Sequence, residues 1–278
     1  MNAKVVIPIY RTFLTEEERI SILSIRKSFS GDAICFVAPE SLDLHELISG
    51  EEQVERFDDS FFDGIEGYNR LLTSSTLYER FATHSHMLIC QLDCLVFRNA
   101  LEEWVEKGFD YIAAPWFQKF LEDPAGGLWR VGNGGFSLRN VTSHQRVLQQ
   151  RIMRGVIYPN HGVTPWEVTR AEDELGLYQK LMPWYRRMNP FTEWTTIEKE
   201  LCRFPMNEDL FWALEAPKFD SSFKVATPDE ALPFAFEVAP RWCYEKNGRN
   251  LPFGCHAWAR YDRSFWEEIL RGGSIIPK

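Results

Sequence analysis

Across its 278 residues the chain has no run approaching the ~18 consecutive apolar residues that a membrane-crossing helix requires. It also has no surplus of positive charge: Lys and Arg total 31 against 40 Asp and Glu, a formal net charge of −9. That balance argues against the nucleic-acid backbone or anionic lipid as a general electrostatic partner, and no nucleic-acid partner is expected. Cysteine is sparse. Cys35, Cys90, Cys94, Cys202, Cys243 and Cys255 are scattered among apolar neighbours without paired metal-ligand spacing, which suits reduced, mostly structural thiols. Internal repeats, linkers and low-complexity tracts are absent. The segment MNAKVVIPIYR enters a strand-like run without the charged and apolar regions of a signal peptide, so a cytoplasmic location is expected.

What is present is 45% apolar content, enough for one large domain or one domain with a substantial insertion. Short apolar runs alternate with helical patterns through the first half: KVVIPIY, TEEERISILSIRKSF, AICFVAP, a helix-like stretch, then QVERF. Thr15 and Glu18 have capping-box spacing, and Ile20, Leu23 and Phe29 would form the buried stripe of the helix they open. Pro8 cannot donate a ladder bond, so the first strand should finish near Ile7. GIEGYNRLLTSSTLYERF reads as the next helix, HMLICQLDCLVF as a central strand and DYIAAPW as another. This rhythm predicts an α/β fold with a mostly parallel central sheet flanked by helices, its binding site at the carboxyl ends of the strands. From 155 to 206 the alternation gives way to Pro, Trp, Tyr and Arg, which suits either a lid or acceptor-binding insertion, or a second layer of core.

Within MLICQLDCLVF, Asp93 interrupts an apolar run. A carboxylate there is costly unless it reaches a partner, a metal or water, so Asp93 is expected where a buried strand emerges. Three further segments bear on it. In VGNGGFSLRN, Gly132, Gly134 and Gly135 permit close backbone approach to a ligand or simply make a tight hairpin; no Lys-Ser/Thr follows, so this is not a phosphate loop. In PMNEDLFWALEA, Asn207, Glu208 and Asp209 read as a helix cap with acidic residues in the first turn, or as carboxylates projected into a cleft for general-base work. His256, in LPFGCHAWARYD, is either a packed histidine or a metal ligand. His84 and His86 would share one strand face, but no third ligand has diagnostic zinc spacing.

In the order VVIPIYR, GYNRLL, CQLDCLVF, DYIAAPW, GNGGFSLRN, NEDLFW and PFGCHAW, the chain resembles a largely uncharacterised microbial domain family regarded as glycosyltransferase-like, with a nucleotide-sugar-binding GT-A fold. More distantly, its block order is similar to the inverting, manganese-dependent β-galactosyltransferases. The resemblance spans most of the chain and is absent across 155–200. It implies one GT-A-like domain over 1–278: a nucleotide-sugar-binding half at 1–154, an acceptor-binding insertion at 155–206 and a catalytic, metal-binding part at 207–278. It also implies transfer of a sugar from a nucleotide-diphosphate sugar to a hydroxyl of a glycan or glycolipid acceptor, with inversion, assisted by Mn2+ or Mg2+, and with peripheral membrane contact where the acceptor is membrane-bound.

Carried over residue by residue, Asp93 resembles the second aspartate of the family's Asp-x-Asp motif and His256 its late metal ligand. Gln91 stands where the first aspartate is usual, so the cation would be held with one protein carboxylate fewer. Glu208 and Asp209 occupy the acidic cluster that orients and deprotonates the acceptor, with Asp209 the expected base. Tyr68, Asn69 and Arg70 fall where the nucleotide-side helix begins, with Arg70 a candidate for phosphate, and Gly134 and Gly135 fall in the Gly-Gly segment beside the donor. Two other classes fit parts of the pattern: a non-catalytic carbohydrate-binding module, and a metal-dependent nucleotide-sugar hydrolase built on His84, His86, Asp93 and His256.

Overall fold

The computed structural model describes residues 2–118, 124–154, 194–202 and 207–272. Nine strands carry the first half of the chain: β1 (Ala3–Pro8), β2 (Ile34–Pro39), β3 (Gln53–Phe57), β4 (His86–Cys90), β5 (Leu95–Val96), β6 (Tyr111–Ala113), β7 (Pro115–Phe117), β8 (Leu128–Val131) and β9 (Phe136–Asn140). Six of them form the central sheet in the order β3-β2-β1-β4-β9-β6. The first four are parallel, and β9 runs antiparallel to both β4 and β6. The expected α/β class with a mostly parallel sheet is therefore what forms. Every residue of β1, β2 and β4 is buried, as continuous apolar runs require when both sheet faces are covered.

Helix α1 (Glu16–Ser28) connects β1 to β2 and starts at the Thr15–Glu18 capping box that the spacing indicated. Its buried face differs from the expected stripe: Leu23 is 48% exposed and Ile20 only partly buried, while Ser21, Ile22, Ser24 and Ile25 face inward with Phe29. The two serines explain the rotation. Ser21 Oγ accepts a hydrogen bond from Trp258 Nε1 at 3.0 Å and Ser24 Oγ accepts one from Val96 N–H at 3.2 Å, so small hydroxyl side chains let other elements approach closely. Strand β1 also runs one residue past the expected end, with Pro8 as its last member.

Three expected elements are each divided. GIEGYNRLLTSSTLYERF forms α2 (Gly64–Leu72) and α3 (Ser75–Arg80), because Ser74 accepts from Leu77 N–H and caps a new helix. HMLICQLDCLVF leaves the central sheet after Cys90, and β5 joins a small sheet with the strands Ala235–Phe236 and Gly254–Cys255. DYIAAPW divides into β6, in the central sheet, and β7, in a hairpin with β8. All six cysteines are free and five are buried, but Cys202 is exposed. Most of the expected 155–206 insertion, residues 155–193 and 203–206, lies outside the described residues. On either side of 155–193, Arg151–Met153 and Trp194–Thr196 pair antiparallel. Among the described residues no helix is long and apolar enough to cross a membrane.

Candidate functional site

Beyond the carboxyl end of β4 the chain makes a tight turn, closed by Cys94 N–H donating to the Gln91 carbonyl at 3.1 Å. Asp93 sits in that turn, at the strand exit where its charge in an apolar run had placed it. Its backbone carbonyl accepts from Trp258 N–H at 3.2 Å, which ties the turn to the segment carrying His256. The side-chain Oδ1 is buried and makes no hydrogen bond, although it lies 3.3 Å from His256 Nε2. Gln91 Oε1 stands 3.1 Å from the same nitrogen. On the other side of the ring, His256 Nδ1 is 3.1 Å from Glu237 Oε1 and 2.8 Å from Asn133 Nδ2. Burial opposes charge on the ring, but Asp93 and Glu237 outweigh it and push the pKa of His256 up to about 10. Burial likewise disfavours the Asp93 carboxylate, and the neighbouring His256 ring still draws it below its ordinary range.

This donor set fits a divalent cation. Asp93 Oδ1 is an orphaned buried oxygen, and its 3.3 Å separation from His256 Nε2 is close to the ~3 Å between adjacent donors on an ion with bonds of ~2.1 Å. Glu237 stands behind the imidazole as the carboxylate that orients a histidine ligand. Among the described residues no group of three or more His, Cys, Asp or Glu side chains could hold a metal ion, so a cation at the Asp93–His256 pair would take its remaining ligands from water or a bound molecule.

The glycine segment after β8 joins this pair to the acidic cluster. Asn133 takes a left-handed backbone (φ 93°), and its Oδ1 accepts from Gly135 N–H at 2.9 Å. A Cβ on Gly135 would collide with the His256 ring and the Gln91 amide, and one on Gly134 would collide with the Glu208 carboxylate. Only glycine permits both approaches.

The helix Glu208–Leu210 starts without a side-chain bond from its own cap residue, Asn207, whose carbonyl accepts from Leu210 N–H at 3.1 Å; Asn69 Oδ1 accepts from Glu208 N–H at 3.2 Å. A π-helical turn, Phe211–Glu215, follows, a distortion frequent at functional sites. The two acidic side chains diverge. Glu208 is 3% exposed and receives two hydrogen bonds from the fully buried Arg139, at 2.8 and 2.9 Å. Arg139 also donates to Ser137 Oγ at 3.0 Å and Tyr78 OH at 3.4 Å. Asp209 is only half-buried, and its Oδ2 accepts from Asn133 N–H at 3.2 Å and Gly134 N–H at 3.3 Å. Burial first, and the neighbouring Glu208 charge second, push its pKa up to about 7 despite the bond from Gly134.

Replacing Arg139 by methionine should therefore leave Glu208 buried and uncompensated, at a cost of about 3–5 kcal/mol measured by urea unfolding. A loss below ~1 kcal/mol would show that the pair does not secure this helix start.

Of the remaining expected site residues, Tyr68 lines a cavity of about 440 Å³ bounded by the end of β1 (Pro8), Tyr10, α2 and the Gln91–Asp93 turn. Its hydroxyl is buried without a hydrogen bond. Asn69 serves the Glu208 helix rather than the cavity, and Arg70 donates to the Ser60 carbonyl at 2.8 Å and is not part of the cavity lining. His86 begins β4 and His84 precedes it, at the opposite end of the strand from Asp93, so the four-residue hydrolase grouping is not brought together. Sequence reasoning passed over Arg139 and Glu237. Glu237 is a charged residue within an apolar run, FAFEVAP, and the rule that singled out Asp93 applies equally to it; Arg139 stands near the polar Ser137 and Asn140 in FSLRN and carries no such signal.

A family model described as a protein of unknown function, DUF5672, matches residues 51–256. No curated protein matches the chain. Among solved structures, the chain is similar to the apo-form glycosyltransferase GlyE in Streptococcus pneumoniae TIGR4, at 12% identity and TM-score 0.44, over 99% of this chain and 60% of that one. This chain thus spans about 60% of GlyE's length. It is similar to apo mouse xyloside xylosyltransferase 1 at 12% identity and TM-score 0.46, over 92% of this chain and 97% of that one. The galactosyltransferase LgtC in complex with donor and acceptor sugar analogs is similar at 12% identity and TM-score 0.46, over 99% and 96% of the two chains.

Proposed function

The chain belongs to the DUF5672 family, and from the chemistry of its site we propose that it is a glycosyltransferase moving a sugar from a nucleotide-diphosphate sugar to a hydroxyl of a glycan or glycolipid, with inversion at the anomeric carbon. One arrangement supports this reading: the half-buried Asp209 carboxylate, pushed up toward neutral pH by burial, stands one residue's reach from the Asp93–His256 pair. Asn133 spans the two, its backbone N–H on Asp209 and its side chain on His256. The block resemblance of the sequence points the same way.

In this reading the nucleoside occupies the cavity beside Tyr68, with its diphosphate toward Asp93. Asp93 and His256 would hold Mn2+ or Mg2+, and Gln91 lends a neutral oxygen in place of a second carboxylate. Bound there, such an ion supplies neutralisation of the departing diphosphate. Asp209 takes the proton of the acceptor hydroxyl, while the Asn133 and Gly134 amides keep its carboxylate oriented. Glu208, held by Arg139, anchors the backbone from which Asp209 projects. A cytoplasmic enzyme with peripheral contact to a membrane-bound acceptor is consistent with this role.

A binding module would have no use for a carboxylate tuned to about 7, whereas a general base works best near the ambient pH. Because Asp209 acts only when deprotonated and its pKa is raised, turnover should climb with pH through about 7 and fall ~10-fold per unit below it. Rates at saturating donor and acceptor between about pH 5 and about pH 8 test this; a flat profile there would remove Asp209 as the base. Product analysis in the same assay separates transfer from hydrolysis, which would release free sugar whether or not acceptor is present.

A further inference from the structure

The cavity beside Asp93 contains a second carboxylate, that of Glu18. Its placement follows from local structure. Glu18 is the third residue of α1, where the capping box fixes its Oε2 as acceptor from Thr15 N–H at 2.8 Å. Oε1 accepts from Arg11 Nη2 at 2.6 Å. The side chain is 12% exposed, and each oxygen keeps a further lone pair for a ligand. Around it the cavity is aromatic and aliphatic, with Tyr10, Phe62, Ile65 and Tyr68. Tyr10 and Ile65 are 57% and 72% exposed, large apolar surfaces left open at the wall of a concave site. Arg11 lies over the Tyr10 ring at 5.3 Å and bonds Glu18, but it is not part of the cavity lining, so it backs the carboxylate that faces the cavity.

Resting on the reading of this cavity as the donor's nucleoside site, we propose that Glu18 reads the base and that the base is guanine, making the donor a guanosine-diphosphate sugar. The hydrogen-bonding edges of the bases decide the matter. Guanine presents two adjacent donors, N1–H and the N2 amine, to an acceptor-only carboxylate. Uracil offers a single N–H between two carbonyl oxygens, so a carboxylate gains one bond and faces lone pairs on both sides. Cytosine and adenine each place a ring-nitrogen acceptor next to their amine. A base that leaves the 12%-exposed Glu18 side chain unmatched is rejected more strongly than one that merely fits loosely.

Calorimetric titration of GDP, UDP, CDP and ADP into the whole protein with manganese present tests the assignment. GDP should bind at least about tenfold more tightly than the other three, the size of one extra charge-assisted hydrogen bond. Glu18→Gln is the informative variant, because glutamine also serves in a capping box and so keeps the start of α1 while exchanging an acceptor oxygen for an amine. It should reduce GDP affinity about tenfold and leave UDP within about twofold. Another diphosphate binding as tightly as GDP, or a GDP preference that survives Glu18→Gln, would overturn the base assignment alone. No binding by any of the four would overturn the donor site itself.

Discussion

Asp209→Asn should lose about 100- to 10,000-fold in turnover while binding the donor as tightly as the unaltered protein. The substitution preserves volume, and an asparagine Oδ1 can still accept the Asn133 and Gly134 amides that hold the aspartate, so the local fold should persist. What disappears is the capacity to take a proton. The paired variant Glu208→Gln separates the two acids. Its carboxylate is committed to Arg139, so its main effect should fall on stability rather than on the proton transfer. Near-normal turnover for Asp209→Asn with a folded but inactive Glu208→Gln would exchange the roles. Near-normal turnover for both would favour a retaining transferase that needs no such base.

For Asp93→Asn the expected result is a loss of at least about 100-fold in manganese-dependent nucleotide affinity with the fold intact. Asp93 Oδ1 is a buried oxygen without a hydrogen bond that lies 3.3 Å from His256 Nε2, so its charge supports that ring contact rather than a bond that shapes the turn. A cation held as proposed, by two protein ligands, would have little reserve: with Gln91 neutral, removing Asp93 would leave His256 as the donor carried over from the family pattern. Metal-free affinity, which depends on the cavity walls, should change little. Unaltered manganese dependence in a nucleotide titration would take Asp93 out of the site.

Much of this site could be read before the coordinates. The βαβ rhythm, the capping box at Thr15 and the exit of Asp93 from a buried strand all rest on local chemistry, namely apolar periodicity, spacing and the cost of a charge in an apolar run. What stayed hidden depends on distant partners. Arg139 meets Glu208 across 69 positions of chain, and a lone arginine in a strand does not reveal whether it faces solvent or such a partner. The same holds for Glu237, which gains its meaning only when His256 arrives beside it. The rotation of α1 was equally illegible, because two serines look polar in a periodicity count yet bury themselves by bonding Trp258 and Val96. Within the acidic cluster the divergence of adjacent helical side chains by roughly 100 degrees separates Asp209 from Glu208, but it does not reveal that Glu208 turns to a buried arginine rather than to the acceptor side.

Proton NMR of the anomeric centre during turnover puts the proposed chemistry to its most direct test. The protein would be given manganese, a panel of nucleoside-diphosphate sugars and an array of glycan acceptors, and the configuration of the new glycosidic bond compared with that of the donor. Acceptor-dependent transfer with the opposite configuration is the expected result. Retention of configuration, or release of free sugar at the same rate with and without acceptor, would contradict it.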